Sequence, residues 1–460
     1  MIINSMLRIT KEEWDSLPSG TQARIRVACT YKNPKFSQAM RFGFSTKHIP
    51  KDVTTYVQSD KFFIASRGEF RKVAQALQEL PYATHFELDE QFTDVCLPDI
   101  QYVNEDFEID ERQHRCIEAA QNAKQGIIHA ATSSGKSDMI LALIAAQKQA
   151  TLIVVNRKVL LDQLLRDAQK RLKGCTFGTI EGGKAVWGDV TFALERSLAK
   201  FLPEAAKRFG MVIADEVHIA AAPSFQKIYN ELPAKYRFGF TGTVRRKDGM
   251  EFLVYATFGR IIAEVNKDEI IEAGRAVPVE LNIHDTMLKP PIELMDEPDA
   301  VKFNRAADIF LHESASRLTF IRDRIMEIRE QHKDARIVVA CRFLEPLRLL
   351  KENLEDRGLT VRCVTGKEQD QKGSCDALES GSCDVLLATI PCFSTGVNIP
   401  NLTDLILMSP MFSNELLIHQ LRGRLMRTSE GKTCGRFHFI WDPDVYDLRK
   451  LQTFKRIFAR

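Results

Sequence analysis

Between Gly126 and Thr243, five short apolar runs (GIIHAA, ATLIVVN, VTFAL, GMVIADE and RFGFTGT) alternate with stretches of amphipathic helical spacing. Strands without polar alternation, spaced by helices, need cover on both faces, which a parallel sheet with helices above and below provides. The texture resumes from about Arg317 with ARIVVAC, LTVRCVTG, CDVLLAT and TDLILMS. The expected fold is therefore α/β, with two doubly wound parallel-sheet domains. The 460 residues leave room for a third domain at usual domain sizes.

The third domain is expected at the N-terminus. There ARIRVAC and KFFIAS have the alternation of strands, and EFRKVAQALQEL has helical spacing before Pro81, together a small α+β module. Net charge is only +3, but it is segregated along this region. From Tyr31 to Val73 nine Lys or Arg (Lys32, Lys35, Arg41, Lys47, Lys51, Lys61, Arg67, Arg71, Lys72) face three acids (Asp52, Asp60, Glu69), a net +6. Thr84 to Glu111 then holds ten acids and no Lys or Arg. A basic module of this kind is suited to gripping a phosphate backbone without reading sequence. Phe36, Phe42, Phe44, Phe62 and Phe63 within it are candidates for a base-stacking wedge, the alternative being a packed core. The proline- and acid-rich stretch Val277 to Ala300 reads as a linker. The expected domains are thus 1–100, 101–276 and 301–460, with 277–300 between the last two.

A hydrophobic fraction of 44%, a charged fraction of 27% and the lack of an apolar run of ~18 residues exclude a disordered chain and a membrane-spanning helix. The N-terminus lacks the basic-then-apolar order of a secretion signal, and none of the ten cysteines lies in a CxxC pair. A soluble protein with reduced thiols in the cytoplasm is expected.

HAATSSGKSD, His129 to Asp138, follows one of the apolar runs and opens a helical stretch, the setting of a phosphate-binding loop. Gly135 permits close backbone approach, the amides around Ser134 to Ser137 sit at a helix N-terminus, Lys136 has the reach for β and γ phosphates, and Ser137 is a magnesium ligand candidate. The bland alternative is a Gly/Ser turn capping a helix. MVIADEVH, Met211 to His218, ends a second apolar run in adjacent carboxylates. Asp215 is assigned to the metal and Glu216 to the attacking water. His218 is as readily a packed or solvated residue. Downstream, HQLRGRLMR carries Arg422, Arg424 and Arg427. On a helix Arg424 and Arg427 share a face at i and i+3, fit for an arginine-finger role at a nucleotide held by the first domain. The alternative is a basic helix face.

These motifs, in this order, resemble the superfamily 2 DExH helicases. DERQH, with Gln113, looks like the glutamine motif that reads adenine, and TSSGKS (Thr132, Ser133, Ser134, Gly135, Lys136, Ser137) resembles motif I. DEVH resembles motif II, FTGT motif III, FSTGVNIP (Phe393 to Pro400) motif V and QLRGRLMR (Gln420 to Arg427) motif VI. GTIEGGKAVWGDVTFALERSL is similar to the phage UvsW/XPB-like type, which includes branch-migration helicases of T5-like bacteriophages. The resemblance implies two RecA-like domains that bind ATP and Mg2+ in the cleft between them and nucleic acid across their upper surface. It also implies that closure on ATP and opening after hydrolysis move one domain along a strand. It places Gly396 and Asn398 at the nucleotide, Gln420 with the arginines of motif VI, and strand contacts at Arg157, Ser197, Arg342, Thr365, Ser394 and Thr395. Helix capping, turn formation or solvation remain the plain alternatives for those contacts. Two positions depart from the pattern: Ala130 replaces the first glycine of motif I, and Asn398 stands where many relatives have aspartate.

The expected partner is DNA, branched or at duplex to single-strand junctions, with Lys32, Lys35 and Arg41 among its contacts. Other replication or recombination proteins are further candidate partners, in a host cytoplasm if the chain is phage-encoded. An RNA helicase of the same superfamily and an inactive nucleic-acid clamp are the alternatives.

Overall fold

The computed structural model describes residues 1–459 except 79–86, 105–107, 132–133, 219–222, 245, 247, 288–313, 367–369, 397–398, 409–414 and 443–447. It divides into two compact units, Met1–Asn266 and Lys267–Arg460. No helix among the described residues is long and apolar enough to cross a membrane.

The first unit holds an eight-stranded sheet in the order Lys184–Val186, Phe177–Glu181, Val190–Leu194, Thr151–Val155, Met211–Asp215, Tyr236–Thr241, Gln125–Ala130 and Ile261–Val265. Only the outermost pair, Phe177–Glu181 with Lys184–Val186, is antiparallel. Thr151–Val155 is buried along its whole length and Met211–Asp215 up to its final residue, as their unbroken apolar runs require. Register then aligns their ends: Asp215 stands beside Phe240 and Phe240 beside Ile128. The carboxyl ends of three neighbouring strands, where an open α/β sheet gathers its ligands, thus meet in one row.

The second unit holds six strands, all parallel: Val279–Asp285, Gly435–Trp441, Asp404–Leu407, Ile337–Cys341, Val385–Thr389 and Val361–Val364. Two RecA-like doubly wound sheets preceded by a small α+β domain is the architecture observed. The linker expected over 277–300 is corrected in its first part. Val279–Asp285 is a full edge strand, hydrogen-bonded along Gly435–Trp441. Its proline and acidic flanks masked the ELNIHD alternation, and its partner lies about 150 positions away, beyond any local signal.

The N-terminal domain carries a five-stranded sheet, with strands Met6–Thr10 and Phe62–Ser66 at its centre. Phe63 stacks on Trp14 at 4.1 Å inside it. ARIRVAC is not a strand but part of the helix Ser19–Ala28. Its Thr21 and Ile25, four apart, are the buried positions, so one helical face outweighed the short alternation. This domain is bolted to the first parallel sheet. The Arg67 guanidinium, buried, donates to the carbonyls of Ala234 and Lys235 at 2.5 and 2.6 Å. Arg237, also buried, reaches back to the Ser5 carbonyl at 3.2 Å. Gly68 lies so close to the helix Phe252–Phe258 that a Cβ there would stand 2.2 Å from the Tyr255 carbonyl oxygen. The acidic stretch after it is woven in as well, with Asp89–Glu90 extending the N-terminal sheet and Gln101–Tyr102 pairing with Leu172–Lys173.

Candidate functional site

The helix Lys136–Gln147 starts directly after Gly135, whose φ of +77° is left-handed backbone open to glycine at little cost. Gly135 is also crowded: a Cβ would fall 2.2 Å from the Gln113 amide nitrogen. Gln113 itself is buried, donating to the Ser134 carbonyl at 3.1 Å while its amide oxygen accepts from the Asp110 N–H at 3.0 Å. Gln113 therefore braces the Ser134–Gly135 turn through the backbone. Lys136 donates to the Ala130 carbonyl at 3.3 Å, and Ser137, the second helical residue, is partly exposed. The Ser134 hydroxyl is buried and has no hydrogen-bond partner among the described residues. An orphaned buried hydroxyl, a glycine turn and a helix N-terminus suit the oxygens of a phosphate chain. Thr132 and Ser133 lie outside the described residues.

Asp138, which the sequence reading passed over, holds this helix in place. Buried in its first turn, it accepts from Arg171 at 2.6 Å and from the Tyr102 hydroxyl at 2.9 Å. Only its position two residues past Lys136 hinted at it.

Asp215 ends its strand, and Glu216 follows with φ of +54°, an uncommon conformation for a side chain of its size. Burial, then the Glu216 charge, push Asp215 up to about 7 against the pull of Lys136. Burial also acts to raise Glu216, but a hydrogen bond from His218 and the Lys136 charge outweigh it and hold Glu216 below its ordinary value. The two carboxylates are thus pushed apart, the condition for dividing roles between them. His218 is buried, with Nδ1 3.3 Å from Glu216 and 3.0 Å from the Thr241 hydroxyl. Thr241 donates its own hydrogen to the Thr243 carbonyl at 2.6 Å, so His218 Nδ1 is the donor. Arg246 donates to the His218 carbonyl. His218 is therefore a bridge between DEVH and FTGT.

In the second unit the helix Glu415–Leu425 carries Gln420, partly exposed, and Arg424. Arg427 lies past the helix end, which corrects the expected shared helical face. Helical bonding runs out at Met426, whose N–H still reaches Arg422. The two guanidiniums nevertheless feel each other: burial, then Arg427, lower Arg424 to about 9, and burial lowers Arg427. Arg422 serves packing, donating to the Ile457 carbonyl at 2.7 Å and lying 5.2 Å over the Phe458 ring.

The expected strand contacts lie at or just beyond carboxyl ends of strands in their own sheets. Arg157 is exposed where the strand Thr151–Val155 passes into a helix, and Ser197 sits in the short helix Glu195–Leu198 after Val190–Leu194. Arg342 is exposed after Ile337–Cys341, whereas Thr365 is buried after Val361–Val364. Ser394, Thr395 and Gly396 belong to the helix Ile390–Gly396, whose Phe393 is buried beneath Arg424; Asn398 lies outside the described residues. Lys32, exposed, pairs with Asp52 at 2.9 Å, and Lys35 and Arg41 are exposed on the helix Pro34–Arg41.

Two family models match: the type III restriction enzyme res subunit over residues 101–246 and the helicase conserved C-terminal domain over 318–429. The chain belongs to the superfamily 2 helicases. It is thus an ATP-dependent helicase, an enzyme acting on nucleic acid. Probable helicase D10 of Escherichia phage T5 is 28% identical over 328 residues, covering 70% of this chain and 67% of that one. The ATP-dependent DNA helicase uvsW of Enterobacteria phage T4 is 24% identical over 335 residues, covering 69% and 65%. The fold matches the helicase domain of Hef from Pyrococcus furiosus with a TM-score of 0.51 at 14% identity, over 75% of this chain and 97% of that one.

Proposed function

We propose that this helicase is a DNA translocase that remodels branched DNA, forks, Holliday junctions or recombination loops, in phage replication, recombination or repair within a host cytoplasm. The observation that carries this reading is the convergence of Lys136, Asp215 and Glu216 on one row of strand ends, with His218 tying Glu216 to Thr241. In this reading the Ser134 to Ser137 loop and Lys136 hold the triphosphate of ATP, with Gln113 at the adenine. Ser137 and Asp215 hold Mg2+, which would neutralise phosphate charge, and Glu216 orients water. Arg424 and Arg427, whose guanidiniums burial brings below their ordinary pKa, would supply positive charge to an anionic phosphoryl group, the role the motif VI resemblance implies. ATP then biases domain closure through contacts that differ between the closed and open states. The N-terminal basic face, with Lys32, Lys35 and Arg41, grips duplex phosphate. DNA, rather than RNA, is favoured by the DNA-helicase relative named above.

The test compares ATP hydrolysis with forked DNA, a four-way junction, linear duplex and RNA, for the native chain and Lys136→Ala. Greatest stimulation by the branched DNAs, abolished by the substitution, is expected. Equal or greater stimulation by RNA makes it an RNA helicase. A native chain without hydrolysis on any of them is a clamp.

A further inference from the structure

The segment 33–51 leaves the N-terminal domain as an excursion between two paired strands, Thr30–Lys32 and Asp52–Thr54. Its base is clamped to the first parallel-sheet domain. Tyr31 stacks on Phe252 at 4.4 Å, and Pro34 seats on Gly249, where a Cβ would approach its ring carbons to 3.0 Å. Asn33, buried, closes the loop by donating to the Pro50 carbonyl at 2.8 Å.

Its tip is different. Met40, Phe42 and Phe44 are 62%, 58% and 68% exposed, and the two rings stand 6.2 Å apart. Large apolar side chains grouped on a surface mark a site of contact. The segment also carries Lys35, Arg41, Lys47, Lys51 and His48 and not one Asp or Glu. Two exposed rings on a segment whose charged side chains are all basic complement a polymer with anionic links between flat apolar faces, which is unpaired nucleic acid. Lipid headgroups or an acidic protein would answer the charge but present no flat faces at nucleotide spacing.

We propose that Phe42 and Phe44 form a stacking platform for unpaired bases beside a duplex end. The proposal rests on the nucleic-acid reading above. Since the base of the excursion is fixed to the domain that carries Lys136, the platform travels with that domain and holds displaced bases from re-pairing.

The experiment measures binding of the full chain to a DNA fork with 2-aminopurine at the first unpaired position, across a salt series. Phe42→Ala with Phe44→Ala is expected to weaken fork binding roughly 5- to 150-fold for one stacked base and abolish the emission change, since stacking contributes ~1–3 kcal/mol per base. The slope of log affinity against log salt stays the same, because no phosphate contact is lost. Arg41→Ala with Lys47→Ala does the opposite, lowering the slope by roughly 1.5 to 2 while the emission change persists. Phe42→Tyr with Phe44→Tyr retains the rings and is expected to bind as the native chain does, which separates stacking from misfolding. Val27→Ala, at a 73% exposed position elsewhere in the domain, leaves binding as it was. A double alanine variant that binds the fork and shifts emission like the native chain overturns the platform and leaves the patch to a protein partner. Equal weakening on fork and blunt duplex overturns it too. A native chain that fails to bind the fork at all overturns the nucleic-acid reading instead.

Discussion

Arg67→Ala asks whether the N-terminal domain is a tethered module or part of one cooperative body with the first parallel sheet. Arg67 is 1% exposed, makes two short hydrogen bonds to the Ala234 and Lys235 carbonyls, and lies 4.4 Å over the Phe92 ring. Alanine orphans two acceptors, at ~1–3 kcal/mol for each one that stays dry. It also removes a cation–π contact of ~0.5–2 kcal/mol. Two effects oppose these losses. Burial, with Arg237 nearby, lowers the guanidinium pKa well below its ordinary value, so removing it relieves a desolvation cost. The Lys235 carbonyl is only partly buried and can regain water. A net loss of about 3 kcal/mol is expected, which for a unit this size lowers the midpoint by about 6–12 °C. Calorimetry of the full chain reads the shift, and hydrogen exchange locates it. Amides of Tyr236–Thr241 should lose protection together with those of Met6–Thr10. Arg67→Lys should recover little, since an ammonium cannot span both carbonyls as the planar fork does. A shift under about 2 °C, or lost protection confined to residues 1–78, would refute the reasoning.

Gly135→Ala places a Cβ against Gln113 and asks alanine to hold φ of +77°, so the loop must move. Affinity for a fluorescent ATP analogue should fall at least about tenfold, at a left-handed cost of ~1–2 kcal/mol before the clash is counted. Unchanged affinity would dissociate the Gln113 to Ser134 brace from nucleotide binding. A pH dependence of stability is expected in the second unit. His284 Nε2 lies 2.8 Å from His438 Nδ1, and His438 Nε2 lies 3.0 Å from the buried Asp404, which also accepts from Arg436. Burial, then His438, lower His284 to about 4. Its neutral form is therefore favoured in the fold, and stability is lost as pH falls from the unfolded value near 6.5 toward 4. Burial acts to raise Asp404, but bonds from His438, Arg436 and Thr403 outweigh it and hold it at about 2, so a further loss follows between pH 4 and 2. Urea midpoints of the native chain and His284→Gln should diverge between pH 7 and 4; parallel curves would count against the histidine as the cause.

Much of the candidate site was legible because its chemistry is written in short segments. A glycine, a lysine and a serine at a strand-to-helix turn, or two carboxylates ending an apolar run, need only their neighbours to be recognised. Phe42 and Phe44 were legible as aromatic residues and not as exposed ones. Phe63, of the same type and in the same domain, is in the core. The shared face of Arg424 and Arg427 failed because a helix end depends on packing as much as on spacing. His218 could be placed only when Thr241, 23 residues on, was seen beside it.

By itself the sequence determined two sheets of buried parallel strands, a glycine–lysine–serine turn opening a helix and a strand ending in two carboxylates, since hydrophobic periodicity and loop chemistry act over about ten residues. The tertiary structure alone decided that Arg67 and Arg237 lock the N-terminal domain to its neighbour, that Gln113 and Asp138 brace the loop, and that Val279–Asp285 joins a sheet. Each of these depends on which distant carbonyl, carboxylate or strand edge lies opposite once the chain is compact. Burial energy then makes an unmatched polar group costly, and no local pattern records the partner that satisfies it.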